Sequence, residues 1–338
     1  MKVDGGIGFE AGPDRVAAHA RRAEGAGYDG IWSAETGHDP FLPLLVAAGA
    51  TEHLELGTGI AVAFARNPMN MAMLANDVQL VSKGRFLLGL GSQIQPHITK
   101  RFSMPWSHPA PRMREYILAM RAIWSSWHDA SKLEFRGDFY THTLMTPFFN
   151  PGPNAYGPPR VLLAGVGKSM TAVAGEVADG FLCHAFTTER YLREVTLPAL
   201  RRGRAKVGKT MEGFELSGPS FIVTGNDEND MANAAMGTKQ QIAFYGSTPA
   251  YRGVLELHGW GDLQDELNRL SKQGRWKEMG DVIDDDVLHT FAVVAEPEQI
   301  ADELVKRYGG LVDRVSFYAP YQSDPERWAK VLAAIKAA

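Results

Sequence analysis

The chain is poor in the features that define several protein classes. It has a single cysteine, Cys183, in 338 residues, so no disulfide can form within it and a reducing compartment is expected. Basic charge is not in surplus. Thirty-five lysines and arginines against 39 aspartates and glutamates leave a net charge of −4, which excludes a broad nucleic-acid footprint. No run approaches the roughly 18 apolar residues that span a bilayer. The N-terminus lacks the basic and apolar regions of a secretory signal. Together these predict a cytoplasmic protein without membrane association. The ten histidines include neither a His-x-His pair nor a His-Glu-x-x-His helix, so no built-in metal site is expected.

Three nucleotide or hydrolase signatures are also incomplete. Gly165-Val166-Gly167-Lys168-Ser169 ends like a phosphate-binding loop, but Leu162 stands where its first glycine is required. Gly89-Leu90-Gly91 opens like a dinucleotide fingerprint, yet Ile94 occupies the third glycine position. No Gly-x-Ser-x-Gly elbow is present, which argues against an α/β-hydrolase.

What the chain does have is abundant apolar residues, 45% of the total, and a regular alternation of short β runs with helical ones. Strands are predicted at residues 3–9, 30–33, 55–62, 86–90, 161–163, 181–184, 214–224 and 315–318. Helices are predicted at 13–26, 41–50, 68–81, 112–127, 169–178, 190–206, 227–245 and 325–335. Each intervening helix returns the chain in the same direction, so the strands should pair in parallel. The predicted fold is α/β, a (β/α)8 TIM barrel forming one domain over residues 1–338. A doubly wound open sheet is the alternative. Two stretches, about 128–159 and 246–289, exceed ordinary connections and are read as insertions.

In such a barrel the active site lies at the C-terminal ends of the strands. Polar and glycine-rich runs stand at those ends here. They are Glu35-Thr36-Gly37-His38, Thr58-Gly59-Ile60, Gly91-Ser92-Gln93, Gly165-Val166-Gly167-Lys168 and Cys183-His184. Glycine lets a planar ligand or phosphate approach the backbone, and amides at a helix N-terminus favour an anion.

Several longer runs resemble the bacterial luciferase-like superfamily. These are Glu55-Leu56-Gly57-Thr58-Gly59-Ile60, Leu87-Leu88-Gly89-Leu90-Gly91, and the run from Phe291 to Glu298. The runs from Ala34 to Phe41, Arg101 to Trp106 and Phe139 to Pro153 are similar to its predicted F420-dependent subfamily. The resemblance implies a deazaflavin held in the barrel mouth above a non-prolyl cis peptide at Gly59–Ile60. It places the cofactor phosphate on Gly165, Val166 and Gly167 with Lys168 nearby, and it puts Glu35, Thr58, Gly91, Ser92 and Gln93 around the cofactor.

His38 is the expected catalytic residue, because a histidine beside the ring can take or give a proton as hydride moves. His97, His184 and Phe148 are the expected substrate neighbours, and the aromatic stretch 135–149 an expected lid. Gln93, Ile94 and Gln95 stand where sugar-phosphate dehydrogenases of the superfamily carry a glutamate proton donor, which argues against that reaction. The expected function is F420-dependent oxidoreduction of a small organic molecule, an alcohol, carbonyl compound or activated alkene. The alternatives are an FMN-dependent two-component monooxygenase and a non-catalytic cofactor-binding barrel. The resemblance also implies a homodimer through the second and third helices, around Met69, Met71, Met73 and Leu74.

Overall fold

Eight parallel strands close on themselves around a packed interior. The computed structural model describes residues 1–8 and 12–337. The strands are β1 (Lys2–Gly6), β2 (Gly30–Ser33), β3 (Glu55–Thr58), β4 (Phe86–Gly91), β5 (Arg160–Gly165), β6 (Gly180–Cys183), β7 (Glu215–Val223) and β8 (Arg314–Tyr318). Each pairs with the next, and β8 pairs with β1 to complete the cylinder. The barrel, and not the open sheet, is therefore the fold.

The helices that follow the strands are α1 (Val16–Ala26), α2 (Phe41–Ala50), α3 (Pro68–Val81), α4 (Pro109–His128), α5 (Lys168–Val177), α6 (Leu197–Lys206) and α7 (Glu228–Gly246). Two more, α8 (Ile300–Tyr308) and α9 (Pro325–Ala337), flank β8. Their starts follow local chemistry. Pro68 sits in the first turn of α3, and the Asn67 side chain accepts the Asn70 N–H at 2.9 Å. Helix α8 is absent from the sequence prediction, although Pro297 and the apolar spacing Ile300, Ala301, Leu304, Tyr308 announce it.

The floor of the barrel is charged, fully buried at Arg314 and Asp4 and partly exposed at Lys2, Glu55 and Arg160. Arg314, fully buried on β8, donates to Asp4 through Nε at 2.6 Å and Nη2 at 2.7 Å, and to Glu215 at 2.5 Å. Arg160 also binds Glu215, Lys2 binds Glu55, and the Trp32 indole donates to Asp4 at 2.9 Å. Three carboxylates thus face three cations, and the fully desolvated Arg314 and Asp4 compensate one another. Above this floor Leu87, Leu162 and Leu182 fill the interior beside Trp32. Gly57 is required here, because a Cβ at that position would run into the Trp32 ring.

The predicted third strand, 55–62, is interrupted. β3 ends at Thr58, and Ala61–Val62 resume pairing with Leu90 and Gly91 of β4. The predicted first strand is shorter than expected, ending at Gly6, and Phe9 lies outside the described residues.

The two insertions go to different places. The first folds a short hairpin, Phe135–Arg136 against Thr141–His142, onto the flank of α4. Glu115 of α4 accepts the N–H groups of Asp138, Phe139 and Tyr140 at 2.9, 2.7 and 2.6 Å. Further on, Asn154 donates to Asn76 of α3. The second insertion supplies helices Arg252–Leu257, Gly261–Lys272, Trp276–Asp281 and Asp285–Phe291, which share a separate apolar core with α7, Phe186 and Phe221. Ala292–Val294 then adds a short parallel strand to Phe221–Val223 of β7. Among the described residues no helix is long and apolar enough to cross a membrane.

Candidate active site at the barrel mouth

The mouth is built around the break in the third strand. The peptide Gly59–Ile60 is cis, as the resemblance implies. Three groups at the end of β2 hold this bulge. The Ser33 carbonyl accepts the Gly59 N–H at 2.8 Å, the Glu35 N–H donates to the Ile60 carbonyl at 3.2 Å, and the Glu35 carboxylate accepts the Val62 N–H at 2.7 Å. Thr58 fills the gap in the ladder from below. Its hydroxyl donates to the Gly89 carbonyl at 2.8 Å and lies 2.9 Å from the Gly89 N–H. A side chain on Gly89 would overlap the Thr58 carbonyl, so glycine is what allows β4 this close.

This geometry corrects two expected cofactor contacts. Thr58 is fully buried with its hydroxyl engaged by β4, and Glu35 is held by Val62 and by Arg66 at 2.7 Å. Both shape the bulge from beneath, while Gly59 and Ile60 are the residues that reach the open side.

Arg66 has a wider part than its place in the sequence suggested. It donates through Nη1 to Glu35 and through Nη2 to Asp39, each at 2.7 Å, and so spans the loop that carries His38. Arg101 donates to the Thr36 carbonyl of the same loop. His38 itself is exposed, and its ring makes no hydrogen bond to the described residues. A fixed loop therefore presents a free imidazole at the rim.

On the next strand end, Ser92 and Gln93 are half-buried and turned toward local backbone. The Ser92 hydroxyl donates to the Gln93 carbonyl at 3.1 Å, and Gln93 Oε1 accepts the Ile94 N–H at 3.0 Å. Gln93 has a φ of 60°, a left-handed conformation that forms a tight corner after Gly91. His97 opens the exposed turn His97–Arg101 beyond that corner.

The end of β5 offers an anion-binding arrangement. Gly167 is the N-cap of α5, and no side chain caps that helix. The first amides of α5 are thus available, with Lys168 exposed beside them. Among the described residues, a Cβ on Gly167 would meet nothing within 4 Å, as is also true of Gly6 and Gly8 across the mouth. Gly165 and Val166 line a narrow crevice with Cys183, His184, Thr187 and Tyr191. Burial pushes the Cys183 thiol up to about 12, so it stands as an inert wall residue.

His184 follows β6 into the mouth and meets residues that the sequence did not single out. Its Nδ1 accepts the Phe186 N–H at 3.0 Å and its Nε2 lies 3.3 Å from the Tyr251 hydroxyl. Tyr245, from the end of α7, packs edge-on at 4.7 Å between ring centres, and its hydroxyl lies 3.0 Å from that of Tyr318 at the end of β8. Burial drives the His184 pKa down to about 4 and the Tyr251 pKa up to about 12, so both are neutral near pH 7. Tyr318 was legible as a strand end. Tyr245 and Tyr251 were hidden at the border of an insertion without a motif.

Phe148 does not belong to this site. It is 88% exposed and packs edge-on against Phe149, whose neighbour Asn150 donates to Ser126 near the far end of α4. The stretch 135–149 flanks α4, with Phe139 and Tyr140 packed at its start against His108 and Arg112 and Phe148 near its far end. The second insertion reaches the mouth. No cluster of histidine, cysteine or acidic side chains suited to a metal exists among the described residues.

A closed parallel barrel of eight strands with surrounding helices is a TIM-barrel α/β fold. The family model for luciferase-like monooxygenases matches residues 1–314, and the chain belongs to that family. A protein of Mycobacterium tuberculosis described as uncharacterized is 56% identical over 318 residues, covering 93% of this chain and 92% of that one. A putative coenzyme F420-dependent oxidoreductase of the same organism is 26% identical over 313 residues, covering 86% and 87%. Among solved structures, the coenzyme F420-dependent tetrahydromethanopterin reductase of Methanopyrus kandleri superposes with a TM-score of 0.79 at 18% identity. The match covers 99% of this chain and 97% of that one.

Proposed function

We propose that this protein is an F420-dependent oxidoreductase that moves hydride between the deazaflavin and a small organic substrate, an alcohol, carbonyl compound or activated alkene. The observation that carries the reading is the pairing of an open glycine rim with an uncapped anion site. Gly6, Gly8 and Gly167 leave room for a flat ring system and its phosphate, and the α5 amides with Lys168 suit the phosphate charge. The sequence relationship to a putative F420-dependent oxidoreductase supports the choice of deazaflavin. Bound there, the cofactor would supply a two-electron hydride carrier.

The chain's own residues do the rest. The bulge at Gly59–Ile60 would support the ring face, and Glu35, Thr58 and Ser33 hold that bulge in shape. His38 holds or moves a proton at its imidazole, on a loop fixed by Arg66 and Arg101. We read the working unit as a homodimer through α2 and α3, with a corrected contact surface: of the expected stripe Met71 is fully buried and Met69 packs against the core, whereas Leu42, Met73, Leu74 and Leu80 are exposed where a partner would cover them.

The test is a parallel titration of the purified protein with F420 and with FMN, followed by fluorescence. Micromolar or tighter F420 binding with much weaker FMN binding is the expected result. The reverse order would favour a two-component FMN monooxygenase, a reading supported by the description of the matching family.

A further inference from the structure

The wall formed by His184, Tyr251, Tyr245 and Tyr318 takes no part in the binding or hydride step argued above. Its hydrogen bonding leaves protons over. A backbone N–H can only donate, so the bond from Phe186 fixes the lone pair of His184 on Nδ1. Burial keeps the ring neutral, and its single N–H proton is then on Nε2. That proton faces the Tyr251 hydroxyl at 3.3 Å, which makes the Tyr251 oxygen the acceptor. The hydroxyl proton of Tyr251 has no acceptor among the described residues.

In the second pair the Gln241 amide donates to the Tyr245 hydroxyl, which turns the Tyr245 proton toward Tyr318 at 3.0 Å. The Tyr318 hydroxyl proton then has no acceptor among the described residues. All four residues are half-buried, neither sealed in the core nor free on the surface. Phe186 stacks on Tyr251, Phe221 stacks on Tyr318, and Phe291 stacks on Phe186. Among the described residues no charged side chain hydrogen-bonds to any of the four, and none contributes to the displacement of the His184 or Tyr251 pKa.

We propose that this wall is the substrate-recognition surface of the mouth, and that Tyr251 and the Tyr245–Tyr318 pair donate hydrogen bonds to the oxygen of an uncharged, largely apolar carbonyl compound. The inference rests on the oxidoreductase reading and narrows its substrate class. A phosphorylated or carboxylated substrate would have to leave its charge against aromatic rings and two neutral donors, which costs more than those bonds return. A pure hydrocarbon would leave both donors unmatched. An apolar ketone or enone satisfies the rings and the hydroxyls together. His184 acts here as a positioning residue, because its Nε2–H orients the Tyr251 oxygen and directs the phenolic proton outward.

The test uses the full chain and three probes: cyclohexanone, its hydrocarbon counterpart methylenecyclohexane, and glucose 6-phosphate. Binding of each is measured by saturation-transfer NMR on the wild type, on Tyr251→Phe and on Tyr318→Phe, with F420 added in a separate titration. Both variants keep the ring, and thermal melting checks that they fold. The expected result is that the wild type prefers cyclohexanone to the other two probes. Tyr251→Phe then weakens cyclohexanone by about fivefold or more, the scale of one lost hydrogen bond, and leaves methylenecyclohexane unchanged. Tyr318→Phe should act in the same direction. Equal binding of ketone and hydrocarbon by the wild type, or unchanged ketone binding in both variants, overturns the proposal. Failure of F420 to bind the wild type overturns the cofactor reading instead, and the probe comparison still decides the wall.

Discussion

Two histidines at the mouth are set up for opposite tasks. His38 is exposed on a loop whose flanking carboxylates are tied to Arg66, so the ring is free while its backbone is not. That suits a group exchanging protons with a substrate oxygen. His38→Ala should lower turnover by about a hundredfold or more, the usual scale for a general acid–base residue, while the F420 dissociation constant changes little. Steady-state rates under saturating cofactor, set beside a fluorescence titration, would show it. Equal turnover in the variant would remove His38 from the chemistry.

His184 is held neutral by burial, with a pKa of about 4 against an ordinary value near 6.5. The unfolded chain therefore takes up this proton first as pH falls. The stability linked to His184 is complete above about pH 6.5 and is lost progressively as the pH drops toward 4. Urea unfolding of the wild type and of His184→Gln at pH 7 and pH 5 should differ. The variant should lose less stability over that interval, by on the order of 1–2 kcal/mol. Parallel losses in the two proteins would show that His184 is not neutral in the fold.

At the scale of elements, the break in the third strand and the start of α5 matter most. The break places Gly59 and Ile60 at the open side, and α5 presents unpaired amides across the mouth. Gly167→Asp separates helix stability from anion binding. The position has extended backbone, with φ −73° and ψ 147°, and open space for a side chain, so aspartate should cap the helix without strain. Its charge, however, would stand where the cofactor phosphate is proposed to lie. The expected outcome is an unchanged or slightly raised melting temperature together with about tenfold or greater loss of F420 affinity. Retained affinity would move the phosphate away from α5.

The elements also show what patterning could and could not convey. Helices α2 and α3 begin and end where proline, asparagine and apolar spacing put them, and the strand alternation gave eight members. The strand break was not visible, because Glu55 to Val62 reads as one continuous β run. Tertiary contacts interrupt it: Gly59 and Ile60 bond to the end of β2, while the Thr58 hydroxyl bonds to β4.

For the whole molecule, exposed apolar side chains occur on both insertions and on several helices, and α2 and α3 carry one group of them on adjacent elements. Leu42 on α2 and Met73 and Leu80 on α3 are 53%, 53% and 50% exposed, although both helices pack their other faces into the core. Single exposed apolar residues are ordinary, but several on adjacent helices mark a contact surface. Light scattering at micromolar concentration should give about twice the chain mass, and the double variant Leu42→Glu, Met73→Glu should shift it to the monomer. A monomeric wild type would remove the dimer from the proposal.

Sequence alone determined the eight-fold β/α alternation, and with it which strand ends could meet at one face, because periodicity and turn chemistry are local properties. It also marked Gly59–Ile60 and the Gly165–Lys168 run as places where backbone and not side chain would meet a ligand. Tertiary structure alone decided which of those residues face the opening. Thr58 and Glu35 turn inward because neighbouring strands offer them backbone partners, and Phe148 is carried off along α4 by the three amides that Glu115 holds. Tyr251 and Tyr318, 67 residues apart in sequence, share one wall only because the barrel closes and the second insertion folds back over β6. Long-range contacts of that kind leave no periodic trace in the chain.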